Sequence, residues 1–259
     1  MEVEQMQYCE IRKKHRVERA IIMAAGTGTR MRPVTLDTPK PLIRVNGVRM
    51  IDTVIRALQE NGISEIYVVT GYQKEQFACL TENYEGVQLI ENPYWDSCNN
   101  IASLYVAREH LENAMILDGD QIIYKKEILA PEFTHSGYNA VWTDEKTDEW
   151  LMQVKDGIVC SCSRTGGKGG WQLFSVSRWN REDGKRLKRH LELEFEKKQN
   201  RQIYWDDVAM FCHFEEYELG IYPMQEGDLI EIDDFSELCD LDPSYCGYEA
   251  QGQEKSEEK

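Results

Sequence analysis

Short apolar runs alternate with amphipathic segments through the first half of the chain. Ala20-Ile21-Ile22-Met23, Ile66-Tyr67-Val68-Val69 and Ala114-Met115-Ile116-Leu117 are continuous apolar runs, and Val87-Gln88-Leu89-Ile90 is a shorter one. Such runs read as strands buried on both faces. Between them, Met50, Ile51, Val54, Ile55 and Leu58 recur at helical spacing, and Asn61-Gly62 supplies a stop. Gln73 to Leu80 predicts a second helix, and Ile101, Leu104, Tyr105 and Leu111 mark a third. This alternation predicts an α/β fold, a mixed and mostly parallel sheet with helices on both faces. Ligands of such sheets sit beyond the carboxyl ends of the strands. Three segments fall there: the stretch after Met23, Thr70-Gly71-Tyr72, and Asp118-Gly119-Asp120.

The second half changes character. Ala140–Trp142, Leu151–Val154, Ile158–Cys160 and Leu173–Val176 read as shorter strands, some of them antiparallel. Gly166-Gly167-Lys168-Gly169-Gly170 predicts a flexible loop. Asp183 to Gln199 predicts a charged helix, with Leu187, Leu191 and Phe195 four apart and a solvated outer face. Residues 1–18 form an N-terminal extension, a short helix or a disordered arm. Residues 19–245 read as one domain whose smaller, β-rich second half covers an acceptor site. Residues 246–259 are a polar tail expected to be disordered.

The chain has 259 residues and a formal net charge of −16. So acidic a surface argues against nucleic acid and anionic membrane as partners, while leaving room for a local basic pocket. No apolar stretch is long enough to span a bilayer, and the N-terminus lacks an apolar signal core. The eight cysteines show no Cys-x-x-Cys pair. Free thiols and a cytoplasmic location are the expectation, without a zinc site.

The stretch Ala24-Ala25-Gly26-Thr27-Gly28-Thr29-Arg30 carries the first chemical signal. Small residues and glycines let the backbone approach a phosphate closely, with turn N–H groups aimed at the oxygens. Arg30 and, ten residues on, Lys40 add positive charge where a triphosphate would sit. The order fits neither Gly-x-Gly-x-x-Gly nor the Walker lysine motif. Asp118 and Asp120 at a strand end point the same way. They suit either a solvated turn or a hard cation such as Mg²⁺, which takes one or two carboxylates besides phosphates and water. Asp233, at the end of Leu229-Ile230-Glu231-Ile232, suits either a helix cap or a second metal ligand. Trp150 beside Asp148-Glu149, and Tyr204-Trp205-Asp206, set aromatics against acids. That pattern fits core anchors or a cage for an ammonium group.

Ala24 to Pro33, followed by Thr38-Pro39-Lys40-Pro41-Leu42, resembles the signature of the nucleotidyltransferases that activate sugar phosphates and related esters. Further segments occur in order: Val69 to Phe77, Asn99 to Tyr105, Asp148-Glu149-Trp150, Tyr204-Trp205-Asp206, and Tyr222-Pro223 to Asp233. Together they resemble the bacterial CTP:phosphocholine cytidylyltransferases from about Arg19 to Leu241. The resemblance implies a Rossmann-like fold of the nucleotide-diphospho-sugar transferase type. It implies that Ala24 to Arg30 wrap the triphosphate, that Arg30 and Lys40 screen its charge, and that Asp120 and Asp233 bind a catalytic Mg²⁺. Tyr72, Asn99, Asn100 and Asp118 would lie on the nucleotide side, and Trp150, Tyr204, Trp205 and Asp206 would line a choline pocket. The implied reaction is CMP transfer from CTP to phosphocholine, giving CDP-choline and pyrophosphate. The sequence departs from the family at Asp118-Gly119-Asp120-Gln121, where Asp-Ala-Asp-Asn is expected, and at the Gly166–Gly170 segment. Rival acceptors are 2-aminoethylphosphonate, phosphoethanolamine and a sugar 1-phosphate. A non-catalytic nucleotide-binding protein would typically lack Lys40 or the carboxylates.

Overall fold

A computed structural model describes residues 13–248. Its main element is a nine-stranded sheet. The apolar runs form its parallel part: β1 (Arg19–Ala24), β2 (Glu65–Thr70), β3 (Val87–Glu91) and β4 (Ala114–Asp118). They lie in the order β3-β2-β1-β4. The chain steps outward from β1 to β3, then returns to the other side of β1. This places a topological switch point between β1 and β4, where α/β sheets hold ligands.

Alternate residues of each strand feed opposite cores. Ala20, Ile22, Ile66 and Val68 pack with α1 (Met50–Glu60) and with Leu80 of α2 (Ala78–Asn83). Ile21, Met23, Tyr67 and Val69 pack with α3 (Ile101–Val106) and α4 (Arg181–Glu192). Both faces are therefore covered, which explains the absence of polar alternation in these strands. The predicted second helix begins as a 3₁₀ turn at Lys74–Phe77. The predicted charged helix begins earlier, where Asn180 accepts from the amides of Glu182 and Asp183, and it ends in a π-helical turn at Leu193–Lys197.

The later strands that shape the site are β5 (Gln121–Ile123), β6 (Gly137–Thr147), β7 (Leu151–Lys155), β8 (Ile158–Ser163), β9 (Gly167–Trp179), β10 (Gly220–Pro223) and β11 (Leu229–Glu231). β9 joins β4 antiparallel, and β6, β9, β7, β8 and β10 then pair in a closed circuit. The second half is thus largely antiparallel, as expected, but β6 and β9 are far longer than the sequence suggested. Gly167 to Gly170 belongs to β9 and not to a flexible loop. Here glycine serves close approach: a Cβ on Gly170 would stand 2.8 Å from Leu151 Cγ and 3.0 Å from Met152 O.

The end of the N-terminal extension is structured. His15–Arg16 pairs with Glu132–Phe133, and Val17 is buried. The expected arm at 1–12 and most of the polar tail, 249–259, lie outside the described residues. No described helix is long and apolar enough to cross a membrane.

Candidate active site

The loop after β1 opens directly onto the switch point. Gly28 has a left-handed backbone (φ 61°), and a Cβ there would meet Thr35 Cγ2 at 2.9 Å and Lys40 Cβ at 3.1 Å. Only glycine satisfies both conditions. Gly26 differs, because a Cβ there would meet nothing within 4 Å. Its missing side chain leaves space in a cavity of about 250 Å³ that Thr29, Arg30, Lys40, Asp120 and Asp233 also line. Gly26→Ala is expected to fold with an unchanged or slightly raised Tm, because its backbone suits alanine. The same change is expected to raise the nucleotide KM by about tenfold, since the methyl group fills substrate space. Thermal melts and initial rates on one preparation separate the two effects.

Two elements distant in sequence deliver the acids. Asp118 ends β4, and the Gly119 amide donates to Met23 O at 2.9 Å, so the Asp118-Gly119-Asp120 turn stays against β1. β5 pairs antiparallel with β11, bringing Asp233 beside Asp120. Asp233 does not cap α5 (Phe235–Leu241), since Asp234 does so in a reciprocal capping box with Glu237. Asp233 is thereby left to face the site. Lys40 Nζ lies 2.6 Å from Asp120 Oδ2 and 3.6 Å from Asp233 Oδ1, and Arg30 Nη2 donates to Asp233 Oδ1 at 2.9 Å. Burial alone would lower the Lys40 pKa, but the Asp120 and Asp233 carboxylates outweigh it and raise it. Two hard oxygen donors converging on one cation fit a Mg²⁺ site shared with phosphate oxygens.

A second cavity of about 250 Å³ adjoins the first and shares Asp120 and Asp233 with it. Asp118, Glu149, Trp150, Tyr204, Asp206 and Glu231 also line it. Trp150 and Tyr204 meet edge to face, with ring centroids 6.0 Å apart and planes at 89°. Burial, then repulsion from Asp207 and Glu231, pushes Asp206 up to about 8, while the Tyr138 hydroxyl and the backbone hold it down in part. The Asp206 carboxylate and the Tyr138 hydroxyl are buried together. Glu231 is pushed up to about 7 by burial and nearby acids, against a Gln121 amide that donates to it at 2.7 Å. Burial and the same acidic surroundings raise Asp118 well above the carboxylate range. The lining of the cavity thus gathers carboxyl groups and no lysine or arginine.

Asn99 and Asn100 line a third cavity of about 190 Å³, with Ala25, Gly26, Thr27 and Trp95. Asn100 also reaches the acidic cavity, and its Oδ1 accepts from the Trp205 amide at 2.8 Å. Two expected site residues sit elsewhere. Trp205 is 1% exposed and stacks among Tyr138 and Trp179, so the indole is core and not cage. Tyr72 lines none of the three cavities; its amide donates to Ala25 O and its hydroxyl to Thr35 O, bracing the loop. Asp118 faces the acidic cavity and does not line the one around Asn99. Glu231 was not singled out from sequence, although an acid two residues before Asp233 in an apolar strand shares its face.

One other group of potential metal ligands stands among the described residues: His190, His213 and Glu216. The imidazoles stack at 3.7 Å with planes only 10° apart, so their in-plane lone pairs do not meet at a common ion. Glu194 Oε1 and the Tyr217 hydroxyl engage their remaining nitrogens. This group joins α4 to the segment after the helical turn Val208–Cys212.

Residues 20–174 match the MobA-like NTP transferase domain. The 2-aminoethylphosphonate cytidylyltransferase of Lancefieldella rimae is 39% identical over 228 residues, covering 87% of this chain and 92% of that protein. The choline-phosphate cytidylyltransferase of Streptococcus pneumoniae is 33% identical over 215 residues, covering 83% and 93%. A solved structure of the CTP:phosphocholine cytidylyltransferase from Streptococcus pneumoniae superimposes with a TM-score of 0.80 at 32% identity, over 88% of this chain and 99% of that one. With the phosphate loop, the convergent carboxylates and the acidic second cavity in one crevice, these likenesses show that the chain belongs to the MobA-like NTP transferase family and is a nucleotidyltransferase, similar to enzymes that transfer cytidylyl groups.

Proposed function

We propose that this protein transfers CMP from CTP to a phosphonate or phosphate ester bearing a primary ammonium, with 2-aminoethylphosphonate the favoured acceptor, and releases pyrophosphate. The observation that carries the acceptor is the group of carboxylic acids, Asp118, Glu149, Asp206 and Glu231, lining one cavity. An ammonium N–H can donate to such carboxylates, whereas a quaternary ammonium has no proton to donate. The similarity to the 2-aminoethylphosphonate enzyme supports the same reading.

In this reading the loop from Ala24 to Arg30 holds the triphosphate and the cavity beside Asn99 and Asn100 takes the nucleoside. The acceptor's phosphonate or phosphate oxygen attacks the α-phosphorus. The bond to the bridging oxygen on the far side breaks in line, and pyrophosphate leaves. No protein base is needed, since the nucleophile is already anionic. Lys40 and Arg30 screen the repulsion between the two anions, and the cavity walls align them. Asp120 and Asp233 would hold a Mg²⁺ ion, which when bound supplies further neutralisation of the phosphates.

The perpendicular Trp150–Tyr204 pair favours a second reading, phosphocholine, through cation–π contact. Pyrophosphate release with Mg²⁺ and CTP decides between them. 2-Aminoethylphosphonate, phosphoethanolamine and phosphocholine serve as parallel acceptors. A primary ammonium is expected to exceed phosphocholine in kcat/KM by about a hundredfold, because the quaternary ammonium gives the cavity's carboxylates no donor. A preference for phosphocholine overturns the first reading in favour of the second. Silence with all three rejects both.

A further inference from the structure

Arg164 stands at the turn between β8 and β9, outside the lining of the acidic cavity, yet it contacts both supports of that cavity's aromatic walls. Its Nε and Nη2 donate to Asp207 Oδ1 at 2.7 and 2.6 Å. The other oxygen of Asp207 accepts from the Tyr204 amide at 2.9 Å, fixing the segment that carries Tyr204 and Asp206. The guanidinium also lies 3.5 Å over the Phe211 ring. Phe211 meets Trp150 edge to face at 5.2 Å, and Trp150 meets Tyr204. The contacts form a loop from Arg164 through Asp207 to Tyr204, across to Trp150, and back through Phe211. Asp207 is buried, with its side chain 5% exposed, whereas that of Arg164 is 49% exposed. An exposed side chain that only decorated the surface would have no reason to meet a buried carboxylate in two hydrogen bonds and a ring face at once.

We infer that Arg164 is a positioning residue for acceptor recognition, setting the distance between Trp150 and Tyr204 and the placement of the segment that carries Asp206. The inference rests on the acidic cavity being the acceptor site. Lysine cannot replace this function fully. Its ammonium is a point charge, without the planar fork that bonds Asp207 while stacking on Phe211.

Two measurements test it. Steady-state kinetics use whichever ammonium acceptor the wild type turns over best. Arg164→Met is expected to raise the acceptor KM by about tenfold while the CTP KM stays within about twofold. Arg164→Lys should recover part of the loss. In a Trp150→Ala background the same Arg164→Met change should have a smaller effect, because the branch through Phe211 and the indole is already cut while that through Asp207 remains. Equal effects on both KM values, or full additivity with Trp150→Ala, overturn the inference. The second measurement needs no acceptor. In protein labelled with 5-fluorotryptophan, the ¹⁹F resonance of Trp150 is assigned by its loss in Trp150→Phe and compared between wild type and Arg164→Met. A shifted or broadened Trp150 signal, with those of the other five tryptophans unmoved, is expected. An unchanged Trp150 signal overturns the positioning role even if no acceptor is found. A changed signal with a wild type inactive on every acceptor overturns the functional reading and leaves the positioning intact.

Discussion

Asp120→Asn is expected to lower kcat/KM by at least about a thousandfold, the scale on which removing a group that stabilises transition-state charge acts. The substitution keeps the shape of the side chain and removes its charge. Asp120 is one of two carboxylates converging on Lys40, and the position joins the phosphate cavity to the acidic one. The fold should persist, because Asp233 remains 3.6 Å from the buried Lys40 ammonium and continues to compensate it. A far-ultraviolet circular dichroism spectrum matching the wild type, beside single-turnover rates, provides the check. Near-normal turnover in Asp120→Asn would reject this carboxylate as a group acting on the reaction.

The second large effect concerns pH. Burial, first of all, pushes Asp206 up to about 8. A cationic acceptor favours the ionised carboxylate, so below pH 8 its binding must also release a proton. The apparent acceptor KM is therefore expected to level off above pH 8 and to rise by about tenfold from pH 8 to pH 7, below which Glu231 in the same cavity adds its own protonation. Asp206→Asn should raise the KM at pH 8.5 and remove the slope between pH 7 and 8, while leaving the CTP KM unchanged. Stability moves the other way. An acid whose folded pKa exceeds its unfolded value binds more protons when folded, so its ionisation penalises the fold as pH climbs from about 4 to 8. Asp206→Asn lacks that penalty and should melt higher than the wild type at pH 8.5. A flat KM profile in the wild type would show that Asp206 does not meet the acceptor's charge. A lower melting temperature for the variant would show that its hydrogen bonding dominates.

The parts of this molecule that could be read from sequence are those with one dominant constraint. β1, β2 and β4 are buried on both faces and so appear as unbroken apolar runs. The loop after β1 declares itself through Gly28, whose backbone and packing exclude other residues. Asp120, Asp233 and Lys40 come together in the structure, although their meeting depends on a β5–β11 pairing that no local pattern reveals. The misreadings fall where two causes leave the same trace. Glycines at 167–170 suggest flexibility, but they lie in a strand, and Gly170 admits its neighbour there. Tryptophan beside aspartate suggests a cage, yet Trp205 fills the core while Asp206, its neighbour, faces the cavity. Glu231 was overlooked because its importance comes from burial among other acids, which exists only after folding.

The circuit of pairings among β6, β9, β7, β8 and β10 has a consequence for how the protein behaves in a crowded solution. A ring of strands has no terminal member, so among the described residues these five strands present no outermost strand to which another chain could attach. Among the same residues the large sheet ends at β3, five residues long, where Glu91 is held by Lys74 at 2.6 Å. A short, charge-flanked rim is a poor template for intermolecular growth. The most β-rich part of the chain is thereby guarded against self-association by its topology, leaving its surface composition free to serve recognition.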